Sequence, residues 1–250
     1  MEAAGLGLFM VSACGFAVLL FHPASPVSGM LNSPLQGRML MGLAMGLTAI
    51  GIIYSPLGQR SGAHINPATT LTFLRLGKID RRDALWYIFA QFAGSVAGVV
   101  IASLALGQLI THPSVNYAIT VPGADGAGIA FIAEVAISFL LMAVVLTISN
   151  RKRVSRLTGL CVGLLVAIYI SFEQPLSGMS MNPARTFGSA LLAQVWTGLW
   201  VYFIAPPAGM LLAAEVYTRV LGSERILCAK LNHHTTAHCI FRCNYQGGES

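Results

Sequence analysis

An all-α membrane protein is the fold class this sequence predicts, with six transmembrane helices and two re-entrant half-helices arranged as inverted three-helix repeats. Three observations carry that prediction. Apolar residues make up 55% of the 250-residue chain, charged residues 10%, and the mean hydropathy is +0.70, whereas an average soluble domain carries about 25% charge. The apolar residues gather into six runs of spanning length. The pattern Ser-Gly-x-x-x-Asn-Pro-Ala-x-Thr occurs twice, as Ser61, Gly62, Asn66, Pro67, Ala68 and Thr70, and as Ser177, Gly178, Asn182, Pro183, Ala184 and Thr186.

The six runs lie at about 3–21, 38–58, 84–106, 128–149, 157–175 and 197–221, each near the ~20 residues a helix needs to cross hydrocarbon. Helices are the expected spanning element, because backbone polar groups in lipid must be paired internally. The short alternating segments of a membrane β-barrel are not seen. No basic stretch precedes the first run, so it is expected to stay in place as a helix and not to be cleaved as a signal. Since the chain begins almost at that run, no soluble N-terminal domain is expected.

Each Asn-Pro-Ala reads as a helix start. Proline suits the first helical position, where its missing N–H would be unpaired anyway, and asparagine before it is a good N-cap. The apolar stretches that follow, Leu71 to Leu76 and Phe187 to Val195, are too short to span and fit half-helices that dip in and return. Two such starts predict helix N-termini meeting near the bilayer midplane.

Basic residues set the orientation. Arg60, Arg75, Lys78, Arg81 and Arg82 lie between runs two and three, Arg151, Lys152, Arg153 and Arg156 between four and five, and Arg219, Arg225, Lys230 and Arg242 after six. The other connections hold only Arg38 and Arg185. The positive-inside bias then predicts a multi-pass cell-membrane protein with both termini cytoplasmic. The net charge of +6 reflects topology and not nucleic-acid binding. The first motif would enter from the cytoplasm and the second from outside, giving halves of about 1–110 and 125–222 inserted upside down relative to each other. Gly42 and Gly46, Gly94 and Gly98, and Gly159 and Gly163 are small-xxx-small pairs suited to close helix packing, although 26 glycines also produce such pairs by chance.

On these residues the chain, over about 2–222, resembles the aquaporin, or major intrinsic protein, family. The resemblance implies an aquaporin-like channel domain at 1–222, a pore within each subunit, a homotetramer in the lipid bilayer, and no cofactor. It implies a passive channel that conducts water and excludes protons and ions. Asn66, Pro67, Ala68, Asn182, Pro183 and Ala184 would form the pore motifs, the asparagine amides donating to a passing oxygen; simple N-capping is the alternative. Glu2 and Glu134, at matching places in the two halves, would brace the re-entrant loops. Arg185, directly after the second motif, would be the arginine of the selectivity constriction, with Met45 (or Gly46), Ile170 and Met179 around it; a structural ion pair is the alternative for Arg185. An intramembrane arginine is expensive unless it faces water or a partner. The first motif has Thr69 in the equivalent place.

The resemblance divides on solute range. Strict water channels of the family usually carry histidine at the place of Ile170 and a bulky aromatic at that of Met45, so the ring here is apolar and adaptable. Glycerol-conducting relatives usually have aspartate and a basic residue where this chain has Thr186 and Ala190, and the pair Tyr202 and Phe203 is of the water type. A broader facilitator of glycerol-like or urea-like solutes is therefore the alternative. His64, two residues before Asn66, is expected beside the cytoplasmic vestibule, as a loop-packing residue or as a pH-sensitive gate.

Residues 223–250 form a tail with Cys228, His233, His234, His238, Cys239 and Cys243. A disordered cytoplasmic tail is one expectation. A metal site or a metal- or redox-sensitive plug is the other, since thiolates and imidazoles together hold zinc, although the spacing matches no standard finger. No enzyme is expected, because neither a phosphate-binding glycine loop nor a nucleophile–base pair stands out. A coupled transporter would share the broken helices but needs ionisable groups at the midplane beyond Glu2 and Glu134.

Overall fold

The computed structural model describes residues 1–233 and 239–244. Among these residues ten α-helices follow in chain order: α1 (Glu2–Phe21), α2 (Pro34–Tyr54), α3 (Pro56–Ser61), α4 (Pro67–Arg75), α5 (Arg81–Leu106), α6 (Gly126–Ser149), α7 (Thr158–Phe172), α8 (Gln174–Ser177), α9 (Pro183–Ala193) and α10 (Leu199–Leu221). Six of them, α1, α2, α5, α6, α7 with the 3-10 turn before it, and α10, are long and apolar enough to cross a membrane. Their outer faces are apolar too, with Leu43, Leu85, Leu104, Ile132, Leu164 and Phe172 exposed, the pattern of helices whose solvent is lipid. Exposed Trp86 and Trp200 lie near the starts of α5 and α10, where aromatic side chains suit the membrane–water interface.

Two spans differ from the sequence expectation at their ends, and capping explains why. Helix α2 begins at Pro34 and not near 38, because the Ser33 side chain accepts the Gln36 N–H. It stops at Tyr54 because Ser55 caps a new helix, accepting from Gly58 N at 3.1 Å. Helix α7 stops at Phe172, and the next residues form the separate turn α8. The short helices α3 and α8 are equivalents, each ending in a left-handed glycine, Gly62 at φ +88° and Gly178 at φ +79°.

The two halves repeat each other with opposite insertion. In each, the first span packs on the third, α1 on α5 and α6 on α10, while the middle spans α2 and α7 pack on each other across the halves. The half-helices are exchanged: α4 lies against α10 of the other half, and α9 against α5. Glycine makes the central contact possible. A Cβ on Gly46 would lie 2.5 Å from the Gly163 carbonyl oxygen, and one on Gly163 would lie 2.6 Å from that of Gly46. Lipid supplies no hydrophobic drive between helices, so this backbone approach supplies van der Waals contact instead.

After α10 the chain folds back under the bundle. Ile226, Cys228, Ala229, Lys230 and Leu231 are buried, so for the described residues the expectation of a disordered tail is overturned. The reason is tertiary: the Leu231 N–H donates to the Gly62 carbonyl at 3.2 Å and the Arg242 N–H to that of Lys78 at 3.1 Å. Leu227 N donates to Asn150 Oδ1 at 2.7 Å.

Candidate solute passage

Both Asn-Pro-Ala segments cap their half-helices. The Asn66 side-chain oxygen accepts from Ala68 N at 2.9 Å, and that of Asn182 from Ala184 N at 3.1 Å and Arg185 N at 3.2 Å. Pro67 and Pro183 hold the first helical positions, with Ala68 and Ala184 fully buried behind them. The amide nitrogens cross between the loops. Asn66 Nδ2 donates to the Met181 carbonyl at 2.7 Å, and Asn182 Nδ2 to the Ile65 carbonyl at 2.8 Å. An amide nitrogen has two hydrogens, so each of these ties uses one of them. The two helix N-termini, each carrying roughly half a positive charge, therefore meet tip to tip.

Carboxylates hold the loops in place. Glu2 accepts from Ser61 Oγ (2.7 Å), His64 N (3.2 Å), Ile65 N (2.6 Å) and Gln91 Nε2 (2.7 Å). Glu134 accepts from Ser177 Oγ (2.9 Å), Ser180 N (2.6 Å) and Met181 N (2.8 Å). Ile65 stands at φ +40° and Met181 at φ +55°. A left-handed conformation is a genuine outlier for a β-branched residue; here it is fixed by the N–H bond to Glu2 and the carbonyl bond from Asn182. A second pair of ties matches between halves. His64 Nδ1 lies 3.1 Å from Thr70 Oγ1, and Ser180 Oγ bonds Thr186 Oγ1.

A cavity of about 130 Å³, the candidate passage, runs past these groups and is lined by Asn66, Asn182, Met45, Ile170, Met179 and Arg185, with Leu141, Val145, Val162 and Val166 as apolar wall. Gly46 packs away against α7 and does not line the passage, whereas Met45 does, together with Met41, Ala49 and Ile53 of the same helix. Arg185 bonds Thr120 Oγ1 through Nη1. Thr120 was not singled out from the sequence, because it sits in an irregular connection with no pattern to mark it. Gln91 was also missed; a lone amide within an apolar run was the available signal.

At the opposite end from Arg185, His64 is buried between Phe73 and Phe241, its ring stacked on both at centroid distances of 5.1 and 5.3 Å. Its Nε2 lies 2.9 Å from the Ala229 carbonyl, which can only accept, so Nε2 carries the proton and Nδ1 faces Thr70. Leu231 lines the passage at this end. Thr69 does not mirror Arg185: its hydroxyl contacts the Met210 sulfur at 3.6 Å. Tyr202 is buried and donates to the Ser177 carbonyl at 2.5 Å, whereas Phe203 is exposed on the outer face. Cys228, His233, Cys239 and Cys243 come together in the tail; His234 and His238 lie outside the described residues.

Comparison with known proteins agrees with this architecture. The profile of the family described as "Major intrinsic protein" matches residues 2–217. A protein of Nicotiana alata named probable aquaporin NIP-type is 38% identical over 73% of this chain and 66% of its own length. Aquaporin NIP1-3 of Oryza sativa subsp. japonica is 38% identical over 74% of this chain and 63% of its own. The chain thus spans slightly under two thirds of these plant relatives. A glycerol uptake facilitator protein-like 6 of Lactiplantibacillus plantarum is 37% identical, covering 88% of this chain and 96% of its own. The X-ray structure of the aquaglyceroporin from Plasmodium falciparum superposes with a TM-score of 0.70 at 19% identity, over 90% of this chain and 96% of that one, which speaks for the fold. Members of this family are channels and not enzymes. With six spans, two exchanged half-helices and a profile match over most of its length, this multi-pass membrane protein belongs to the major intrinsic protein family.

Proposed function

We propose that this protein is a passive channel that conducts water and excludes protons and ions. The observation that carries this reading is the pair of half-helix N-termini tied tip to tip by Asn66 and Asn182 in the wall of one passage. Their positive ends raise the potential where cations would have to pass. A water that accepts from the remaining amide hydrogens is oriented so that it cannot relay a proton along a continuous file. The apolar wall offers few other polar stops, so transit is quick. Arg185 adds a fixed charge and hydrogen-bond donors beside the ring of Met45, Ile170 and Met179.

In this reading residues 1–222 are the channel unit and 223–250 a cytoplasmic tail, as the basic connections favour. The subunits assemble as a homotetramer. Glu2 and Glu134 act as braces, since each accepts from its re-entrant loop, Glu2 from Ser61, His64 and Ile65 and Glu134 from Ser177, Ser180 and Met181.

A second reading, a broader facilitator of small neutral solutes such as glycerol or urea, is favoured by the ring itself. Met45, Ile170 and Met179 are apolar, and methionine adapts its shape readily. The similarity to a bacterial protein named as a glycerol uptake facilitator points the same way. Parallel water and glycerol uptake by proteoliposomes treated with a membrane-permeant metal chelator separates the two. Water flux above protein-free vesicles with glycerol at the bare-lipid rate supports the first reading, flux of both supports the second, and neither above bare lipid rejects both.

A further inference from the structure

The tail brings four soft ligands together. The sulfurs of Cys228, Cys239 and Cys243 and a ring nitrogen of His233 all lie within 4.8 Å of one another, with Cys228 buried and the other three half-buried. Cys228 and Cys239 sulfurs are 3.5 Å apart. Four ligands arranged tetrahedrally about zinc at Zn–S of about 2.3 Å place their sulfurs about 3.8 Å apart, so the cluster already has the dimensions of a coordination shell. Its surroundings are those of thiolate ligands. The backbone N–H of Lys230 donates to Cys228, and that of Phe241 donates to Cys239. Such outer groups orient metal-bound sulfur and balance its charge.

The same segment packs at the end of the passage opposite Arg185, where Leu231 lines it. Between Cys228 and His233 lie Ala229, whose carbonyl meets His64, and Leu231, which lines the passage and bonds Gly62. Between Cys239 and Cys243 lie Phe241, stacked on His64, and Arg242, paired with Asp80 at 3.2 Å. Ligands and residues packed at this end of the passage therefore alternate along the chain.

We propose that Cys228, His233, Cys239 and Cys243 form a zinc site that clasps the tail over this mouth, so that metal binding holds Leu231 and Phe241 in place and metal loss frees the passage. Three thiolates and one imidazole in a tetrahedral set select zinc among common divalent ions. A structural zinc contributes its binding energy to local folding, so losing the ion unlocks Leu231 and Phe241 beside their ligands. The regulatory half of this proposal rests on the conduction reading above; the metal half does not.

The test uses the full-length protein, purified with a thiol reductant and loaded with zinc. About one zinc per chain should survive desalting and fall to none in a Cys239→Ser, Cys243→Ser double variant, as expected of a site whose ligands must all be present. Cobalt in place of zinc should show the ligand-field absorption of a tetrahedral thiolate complex. In proteoliposomes, stripping the metal from the wild-type protein with a membrane-permeant chelator should raise water flux several-fold, and restoring zinc should reverse the rise. Because the chelator arm uses unaltered protein, misfolding of the variant cannot decide the matter. Failure to retain zinc, or a Cys228–Cys239 disulfide in reduced preparations by intact mass, overturns the site. Retained zinc with the same flux, above bare lipid, before and after chelation overturns the clasp. If zinc is retained but stripped protein conducts no better than bare lipid, the conduction reading fails while the metal site stands.

Discussion

Asn66 and Asn182 are cross-tied: each donates an amide hydrogen to the carbonyl of the residue that precedes the other, at 2.7 and 2.8 Å. The two loops thus share a single hydrogen-bonded centre, and each asparagine serves as cap, tie and passage wall at once. Asn182→Ala removes a cap worth about 0.5–2 kcal/mol together with the tie to Ile65. Thermal unfolding in detergent should move to lower temperature and water flux should drop. Unchanged stability would show that the tie contributes nothing.

Glu134 is saturated by three donors from the second loop. Glu134→Gln keeps one acceptor oxygen but turns an amide nitrogen toward a buried N–H. Leaving that donor unsatisfied costs about 1–3 kcal/mol, so the variant should unfold earlier and conduct less at every pH. A variant of native stability whose flux merely changed its pH profile would instead mark Glu134 as a proton carrier.

The contact of α2 with α7 depends on Gly46 and Gly163 lying backbone to backbone. Gly163→Val should weaken it by about 1–3 kcal/mol, the usual effect of overpacking. Gly15, in α1, meets nothing within 4 Å where a Cβ would go. Gly15→Ala should therefore be neutral or stabilising by up to about 1 kcal/mol through helix propensity. Equal destabilisation by both changes, read from denaturant midpoints, would contradict this packing.

Met179 lines the passage with Arg185. Met179→Phe should narrow that end and suppress glycerol-sized solutes before water, visible as a higher ratio of water to glycerol uptake. Uniform loss of all flux would argue against a constriction there.

Much of the architecture was legible in the sequence because it rests on local rules. Apolar runs of spanning length mark the helices, and Asn-Pro supplies an N-cap and a first helical residue at both of its occurrences. The repetition of Ser-Gly-x-x-x-Asn-Pro-Ala-x-Thr showed that the halves are related. Boundaries were less legible at α2, where Ser33 and Ser55 compete as caps with the apolar run, and at α7, which gives way to the turn α8 before the second motif. Partners that depend on distant chain could not be read locally. Thr120 meets Arg185 from an irregular connection, Gln91 meets Glu2 from the third span, and the tail is held by carbonyls of Gly62 and Lys78. The placement of Leu231 and Phe241 at His64 has no sequence signature, since Cys and His spacing alone fits a disordered tail as well as a packed one.

In the proposed mechanism the joined half-helix tips pass water while refusing protons. Osmotic swelling and proton leak, measured on the same zinc-stripped proteoliposomes, are the decisive pair. Water permeability should rise well above protein-free vesicles, without any ion gradient, while a pH gradient decays at the bare-lipid rate. Water permeability equal to bare lipid, or a proton leak that grows in step with water flux, would contradict it.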